Sequence, residues 1–317
     1  MRTSLAAALL LVALTTSARA QAPECSTYPG DAARVCTAAV DGTRAFAPTL
    51  GLLESGGNAV LGTANPLGGP GHFSLTARVN AVHVVLPKVS YDGSTTTVPA
   101  GKDIVAPGPV VEGALGVYGG LPSGALSVDL LASAQLLPTT QFEGLAVERD
   151  ARRIGTVALG LGYGARIGVL RETGPLPAVS VSVMRRDIPA LTYGDVDAGD
   201  EFQYAMELHA TNLRLVASKQ LAALGVAAGL GWDKYTGDAL IQVRNPGVPG
   251  LASEVPLDLS TSRVLAFLDA ALDLSALRLV AEGGYQAGRN QHLSTRFEKL
   301  DTSKGKFFAG LGLRVGL

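Results

Sequence analysis

From Phe73 onward, apolar and polar residues alternate with a period of two, which on an extended chain puts them on opposite faces. Leu126, Val128, Leu130, Ala132, Ala134 and Leu136 share one face, and Ser127, Asp129, Ser133 and Gln135 share the other, with Leu131 the exception. Val157, Leu159, Leu161, Tyr163, Ala165, Ile167 and Val169 oppose a glycine-rich row that carries Arg166. Val264, Ala266, Leu268 and Leu272 oppose Arg263, Asp269 and Asp273, and Leu277, Leu279 and Tyr285 oppose Arg278, Glu282 and Gln286. The chain ends in the same way, with Phe307, Leu311, Leu313, Val315 and Leu317 opposite Lys306 and Arg314.

About ten such segments are predicted as strands, near 73–86, 110–118, 124–137, 155–170, 177–186, 201–219, 223–235, 261–274, 277–288 and 305–317. Many reach the roughly 9–11 residues with which a tilted strand crosses a bilayer. One segment breaks parity: Phe202, Tyr204, Met206 and Leu208 share a face, while Leu213, Leu215 and Ala217 fall on the other. Either a β-bulge near Ala210 to Asn212 or a turn that splits the segment accounts for this.

The links alternate. Short ones lie at 119–124, 171–176, 220–222 and 275–276, and longer polar ones at 87–109, 138–154, 187–200, 236–260 and 289–304. A membrane barrel with short periplasmic turns and longer outer loops has this rhythm. The fold class is therefore all-β, an antiparallel transmembrane barrel of about ten strands within a range of roughly 8–14. Tyr118, Trp232, Tyr235, Tyr285 and Phe307, near strand ends, suit its aromatic girdles.

Residues 1–20 read as a secretory signal peptide: Arg2, an apolar run from Leu5 to Leu14, and Ala18-Arg19-Ala20 before a cleavage after Ala20. No later stretch has the roughly 20 apolar residues of a spanning helix. Residues 21–71 form a separate segment, a cap, plug or tether, ahead of the barrel at 72–317. Asp31 is placed to cap a short helix through Phe46 that Pro48 ends, and a Gly/Asn/Pro-rich connector follows from Gly56 to Gly69. Cys25 and Cys36 are a candidate disulfide in an oxidising compartment.

Composition sharpens this picture. Charged residues are only 17% of the 317, hydrophobic ones 47%, and the net charge is -1. Low charge with ordinary hydrophobicity fits a surface that faces lipid, and the near-neutral balance excludes nucleic acid as a partner. The expected partners are outer-membrane lipid, the barrel assembly machinery during insertion, and a small-molecule solute.

The inferred inner face carries Arg78, Glu112, Asp129, Arg166, Glu207, His209, Arg214, Arg263, Asp269, Asp273, Arg278, Glu282 and Arg314. Two readings stand: a constriction that selects solutes by charge, or a salt-bridged filling of side chains that holds a small barrel shut. Arg278 and Arg263 are placed to neutralise Asp269 and Asp273. Glu207 and His209 share a parity that suits acid–base work, but no nucleophile accompanies them. His72, His83, His209 and His292 lack metal-ligand spacing, and no catalytic or phosphate-binding motif occurs, so neither metal, cofactor nor enzymatic activity is expected.

The last strand, apolar at every second position up to the terminus, resembles that of bacterial outer-membrane barrel proteins, in which it serves as the insertion signal. The family's usual terminal Phe is Leu317 here. The Gly-rich run with Asn65-Pro66 ahead of the first strand resembles FadL-type hydrophobic-compound transporters, over about residues 50–75 only; those proteins are longer, with more strands. That resemblance implies an N-terminal segment that plugs the barrel. The function expected is a narrow channel or transporter for small solutes; the alternative is a structural or adhesive barrel acting through its outer loops.

Overall fold

The computed structural model describes residues 21–122, 125–138, 145–147, 153–154, 157–244 and 252–316. The expected signal peptide and its expected cleavage site after Ala20, the terminal Leu317 and most of the 138–154 link lie outside the described residues.

Ten long strands form the wall: β1 (Phe73–Pro87), β2 (Ala100–Tyr118), β3 (Ser127–Pro138), β4 (Val157–Leu170), β5 (Ala178–Tyr193), β6 (Phe202–Leu221), β7 (Leu224–Arg244), β8 (Ala252–Leu274), β9 (Leu277–Gln286) and β10 (Lys306–Gly316). Each pairs antiparallel with the next. β10 closes on β1, from Ser74 opposite Gly316 to Val82 opposite Phe308. The result is a closed ten-strand antiparallel barrel whose first and last strands meet at the short-link end.

Trp232, Tyr285 and Phe307 are 41%, 42% and 78% exposed and mark one edge of an apolar outer belt. Below them on β8, outward positions from Val264 to Leu272 are apolar, a length that suits a bilayer crossing. Above them, outward positions turn polar: Lys234, Thr236 and Asp238 on β7, and Ser262, Ser260 and Asp258 on β8. Tyr235, expected in the girdle, is instead buried in the lumen.

The parity break on β6 is neither a bulge nor a turn. The β6–β7 register runs without a shift from Leu221 opposite Leu224 to Phe202 opposite Val243. Phe202, Tyr204, Met206 and Leu208 are buried and face inward, while Leu213 and Leu215 are 44% and 49% exposed and face outward. The same inversion runs through β7, where Ile241 and Val243 face inward and Leu230 outward, and through β8, where Val255, Leu257 and Leu259 face inward and Leu268 outward. The strand stays regular and its surroundings exchange. In the belt the outside is lipid and the inside polar; above it the outside is water and the inside apolar.

That inversion explains why the outer links were expected to be longer than they are. Residues 236–244 and 252–260 are paired strand, and β2 starts at Ala100 rather than near 110. Above Val110, among the described residues, β2 is paired to β1 alone, so Pro107 and Pro109, which lack an N–H, are tolerated there. The alternation of long and short links is accordingly blunted: at the outer end the chain stays extended as strand.

The apolar upper lumen is filled by one helix, α1 (Gly30–Ser55). It runs through Pro48 and, apart from its exposed first turn and half-buried Arg44, is buried against the inner faces of β1, β2, β5, β6, β7 and β8. Proline inside a helix costs about 3 kcal/mol, which burial of Phe46, Leu50, Leu52 and Leu53 offsets. Asp31 is not the cap but lies in the first turn, paired with Arg34. Gly51 has no side chain because the Tyr235 ring occupies the space: a Cβ there would lie 2.1 Å from Cε1.

Candidate functional site

α1 enters at the outer end. Arg34 donates to the carbonyl of Gly93 in the β1–β2 link, and Thr295 N–H in the β9–β10 link donates to Asp41 Oδ2 at 2.7 Å. The Cys25–Cys36 disulfide joins the turn at Pro23–Cys25 to the helix, with 5.8 Å between the Cα atoms. The helix ends at Gly56, in the left-handed region at φ 58°, and residues 57–72 descend without regular structure to the start of β1 at the short-link end. The chain itself therefore occupies the lumen from outer mouth to inner rim.

A helix end leaves its last carbonyls without partners, and irregular chain leaves both carbonyls and N–H groups. Lumen side chains satisfy them. Arg78 donates to the carbonyls of Ser55 (2.6 Å) and Asn58 (3.1 Å), and Asn80 to that of Leu53 (2.8 Å). Arg214 donates to the carbonyls of Gly56 (3.0 Å) and Gly57 (2.5 Å). Cations at this end also complement the helix dipole. The carboxylates take the opposite groups. Glu282 accepts the N–H groups of Gly57 (2.9 Å) and Asn58 (2.6 Å). Asp269 accepts Gly62 N–H (3.0 Å) and the Asn58 side chain (2.7 Å). Lower down, Arg314 donates to Leu61 O, Ser218 accepts Ala64 N–H, and Asp129 accepts Leu67 N–H.

These groups also pair with one another. Glu112 bridges Arg78 (3.0 Å) and Arg186 (2.9 Å), and Arg166 pairs with Asp129 at 2.7 Å. Arg186 reaches Asn212, which donates to Asp233, and Asp233 also accepts from Arg214 (2.6 Å) and Tyr235 (2.9 Å). Arg78, Glu112, Asp129, Arg166, Arg214, Asp269 and Glu282 thus lie together in the lumen. Neither sequence reading describes them fully, because Arg78, Asp129, Arg214, Asp269 and Glu282 also bind the backbone of residues 55–67, while, among the described residues, Glu112 and Arg166 pair only with other side chains.

Other candidates lie elsewhere. Glu207 and His209 point outward above the aromatic girdle, because Met206, Leu208 and Ala210 take the inward positions; His209 meets Asp187 at 2.8 Å. Asp273 and Arg278 pair with each other at the inner rim, as expected. Arg263 does not neutralise Asp269; it faces inward near the outer end.

Arg186, Asn212 and Asp233 were missed. Their signal was present in the parity of β5, β6 and β7, hidden where the apolar face changes sides. Leu131, the odd apolar residue on the inner face of β3, packs with Ala59, Val60, Ala114 and Met184, so it too answers to the plug. No group of residues with metal-ligand chemistry occurs among the described residues.

A closed barrel with an apolar outer belt and a polar lumen defines a membrane β-barrel of the outer-membrane type. No family model and no curated protein matches the chain. Among solved structures it is similar to the translocator domain of the autotransporter NalP from Neisseria meningitidis, at 13% identity over 88% of this chain and 99% of that one, with a TM-score of 0.39. It is also similar to the Pseudomonas putida toluene transporter TodX, at 12% identity over 81% and 96%, TM-score 0.34. Neisserial surface protein A matches at 7% over 77% and 98%, TM-score 0.30. At these values the likenesses add nothing to what the strand pairing shows.

Proposed function

We propose that this protein is an outer-membrane channel or transporter for small solutes, closed at rest by its own residues 21–71. The observation that carries the reading is how that segment is held. From Ser55 to Leu67 the wall grips backbone groups through hydrogen bonds that water also makes. Bonds to charged groups contribute about 1.5–3 kcal/mol each and water can replace them, so the 56–67 segment can exchange its partners while α1 stays in its apolar seat. An eight-strand barrel has an interior that side chains alone can fill; this ten-strand wall is wide enough to take a helix.

Planar-bilayer recording tests it. The full-length protein gives no steady conductance, and a variant lacking residues 21–71 gives discrete open steps. A deletion variant that folds, shown by heat-modifiable migration, yet stays silent overturns the proposal.

One observation favours a second reading. Above Trp232, the β7–β8 hairpin continues as paired strand to Arg244 opposite Ala252, roughly 40 Å along the strand beyond the lipid belt. Such a projection suits contact with another surface. Under this adhesive reading, charge reversal at the outward Asp238, Glu254 and Asp258 abolishes partner binding while leaving insertion intact.

A further inference from the structure

A cavity of about 710 Å³ opens beside α1 at the outer end, beneath the 287–305 link. It exists because β9 and β10 stop early. β10 pairs with β1 only as far as Phe308 opposite Val82, whereas β1 continues to Pro87 on β2. Above that seam the link closes the wall, with Arg296–Phe297 paired parallel to Thr97–Val98 of the β1–β2 link. The lining includes Pro48 and Thr49 of α1, Arg263 of β8, Gln286 of β9 and Lys306 of β10.

The charge in this cavity is one-sided. Lys299 is paired to Asp103 at 2.7 Å, the exposed Lys304 lies 3.8 Å from Asp301, and Glu298 accepts the N–H of Ala100. Arg263 is only 5% exposed, and it donates to neutral groups, Thr261 Oγ1 at 2.7 Å and the Ser262 carbonyl at 3.1 Å. Lys306 bonds the His83 carbonyl at 3.1 Å. Among the described residues, no carboxylate lies within 4.0 Å of Arg263, Lys306 or Arg296, which also lines the cavity. A buried guanidinium without a counter-charge is costly unless a ligand supplies one.

We propose that this cavity binds a phosphate-type oxyanion, with the Arg263 guanidinium as its forked donor and Lys306 as the second cation. The inference names a solute class for the transport reading and rests on that reading only for its physiological use.

The test is calorimetric titration of the folded full-length protein in detergent at fixed ionic strength. One arm uses inorganic phosphate, the other micelles doped with phosphatidylglycerol, which separates a free anion from a lipid headgroup. Saturable binding in either arm, weakened about tenfold or more in Arg263→Gln and Lys306→Gln, supports the site. Arg263→Lys retains part of it, and Lys88→Gln, exposed and outside the cavity lining, leaves it unchanged. Absence of saturable binding in both arms overturns the proposal, as does equal binding by folded Arg263→Gln and Arg263→Lys variants and the parent protein. Arg263-dependent binding with a silent plug-deleted barrel keeps the site and removes the channel; conductance without such binding does the reverse.

Discussion

Leu208 and Leu213 stand five residues apart on one unbroken strand, yet Leu208 packs in the core with α1 and Leu213 faces the lipid belt. An odd spacing on a regular strand reverses the face, so each leucine meets an apolar medium only because the two media lie on opposite sides of the wall.

This arrangement makes the outer wall position-dependent. Leu268→Arg, in the belt, is expected to destabilise by roughly 2–4 kcal/mol, whereas Leu240→Arg, outward but above the girdle, changes stability by well under 1 kcal/mol. Urea unfolding followed by heat-modifiable migration measures both, and equal losses contradict the placement of the belt.

Arg214 joins the wall to the plug. Arg214→Ala leaves Asp233 and the carbonyls of Gly56 and Gly57 short of a donor. The expected loss is about 3–5 kcal/mol, the range for one partner removed from a buried pair. Adding Asp233→Asn costs less than the sum of the single changes, because both residues belong to one network.

Gly51 tests the fit of the helix. A Cβ there meets the Tyr235 ring, so Gly51→Val displaces α1. The variant is expected to show conductance in bilayers that the parent lacks, and a silent, fully stable variant counts against a tightly seated plug.

The disulfide anchors the outer end of the helix. Cys25→Ser with Cys36→Ser is expected to cost about 2–3 kcal/mol, from the loop entropy returned to the unfolded chain. Faster proteolysis of the N-terminal turn in the folded barrel is the accompanying readout.

Asp41 supplies a pH dependence. Burial pushes its carboxyl above the ordinary value of 3.8, against the Thr295 N–H and the Arg44 charge, which lower it. The folded state therefore holds this proton more tightly than the unfolded chain. The stability it contributes is present below pH 3.8 and is lost as pH rises through the raised value. Relative to the parent, Asp41→Asn should gain in unfolding temperature between about pH 4 and 7. The opposite trend shows that the Thr295 bond outweighs burial.

Much of the barrel was legible in the chain. All ten strands were placed, because each spends at least part of its length between lipid and a polar lumen, where a period of two is unmistakable. The inward set that holds the plug was likewise readable from Arg78, Glu112, Arg214 and Glu282. What failed did so above the girdle. Glu207 and His209 were assigned inward, and residues 236–260 were read as loop, because the apolar face there is the inner one.

The alternation of residues by itself determined that this chain forms strands long enough to span a membrane, with mixed charge on their inner faces. Only the tertiary structure decided what those charges hold. A strand pattern records that one side is apolar and the other polar, without naming the medium on either. Closure of β10 onto β1 encloses a space, α1 supplies its apolar filling, and residues 53–67 bring backbone donors and acceptors within reach of the wall. The partners are separated by up to 253 positions, as Leu61 and Arg314 are, and no local spacing encodes such a contact.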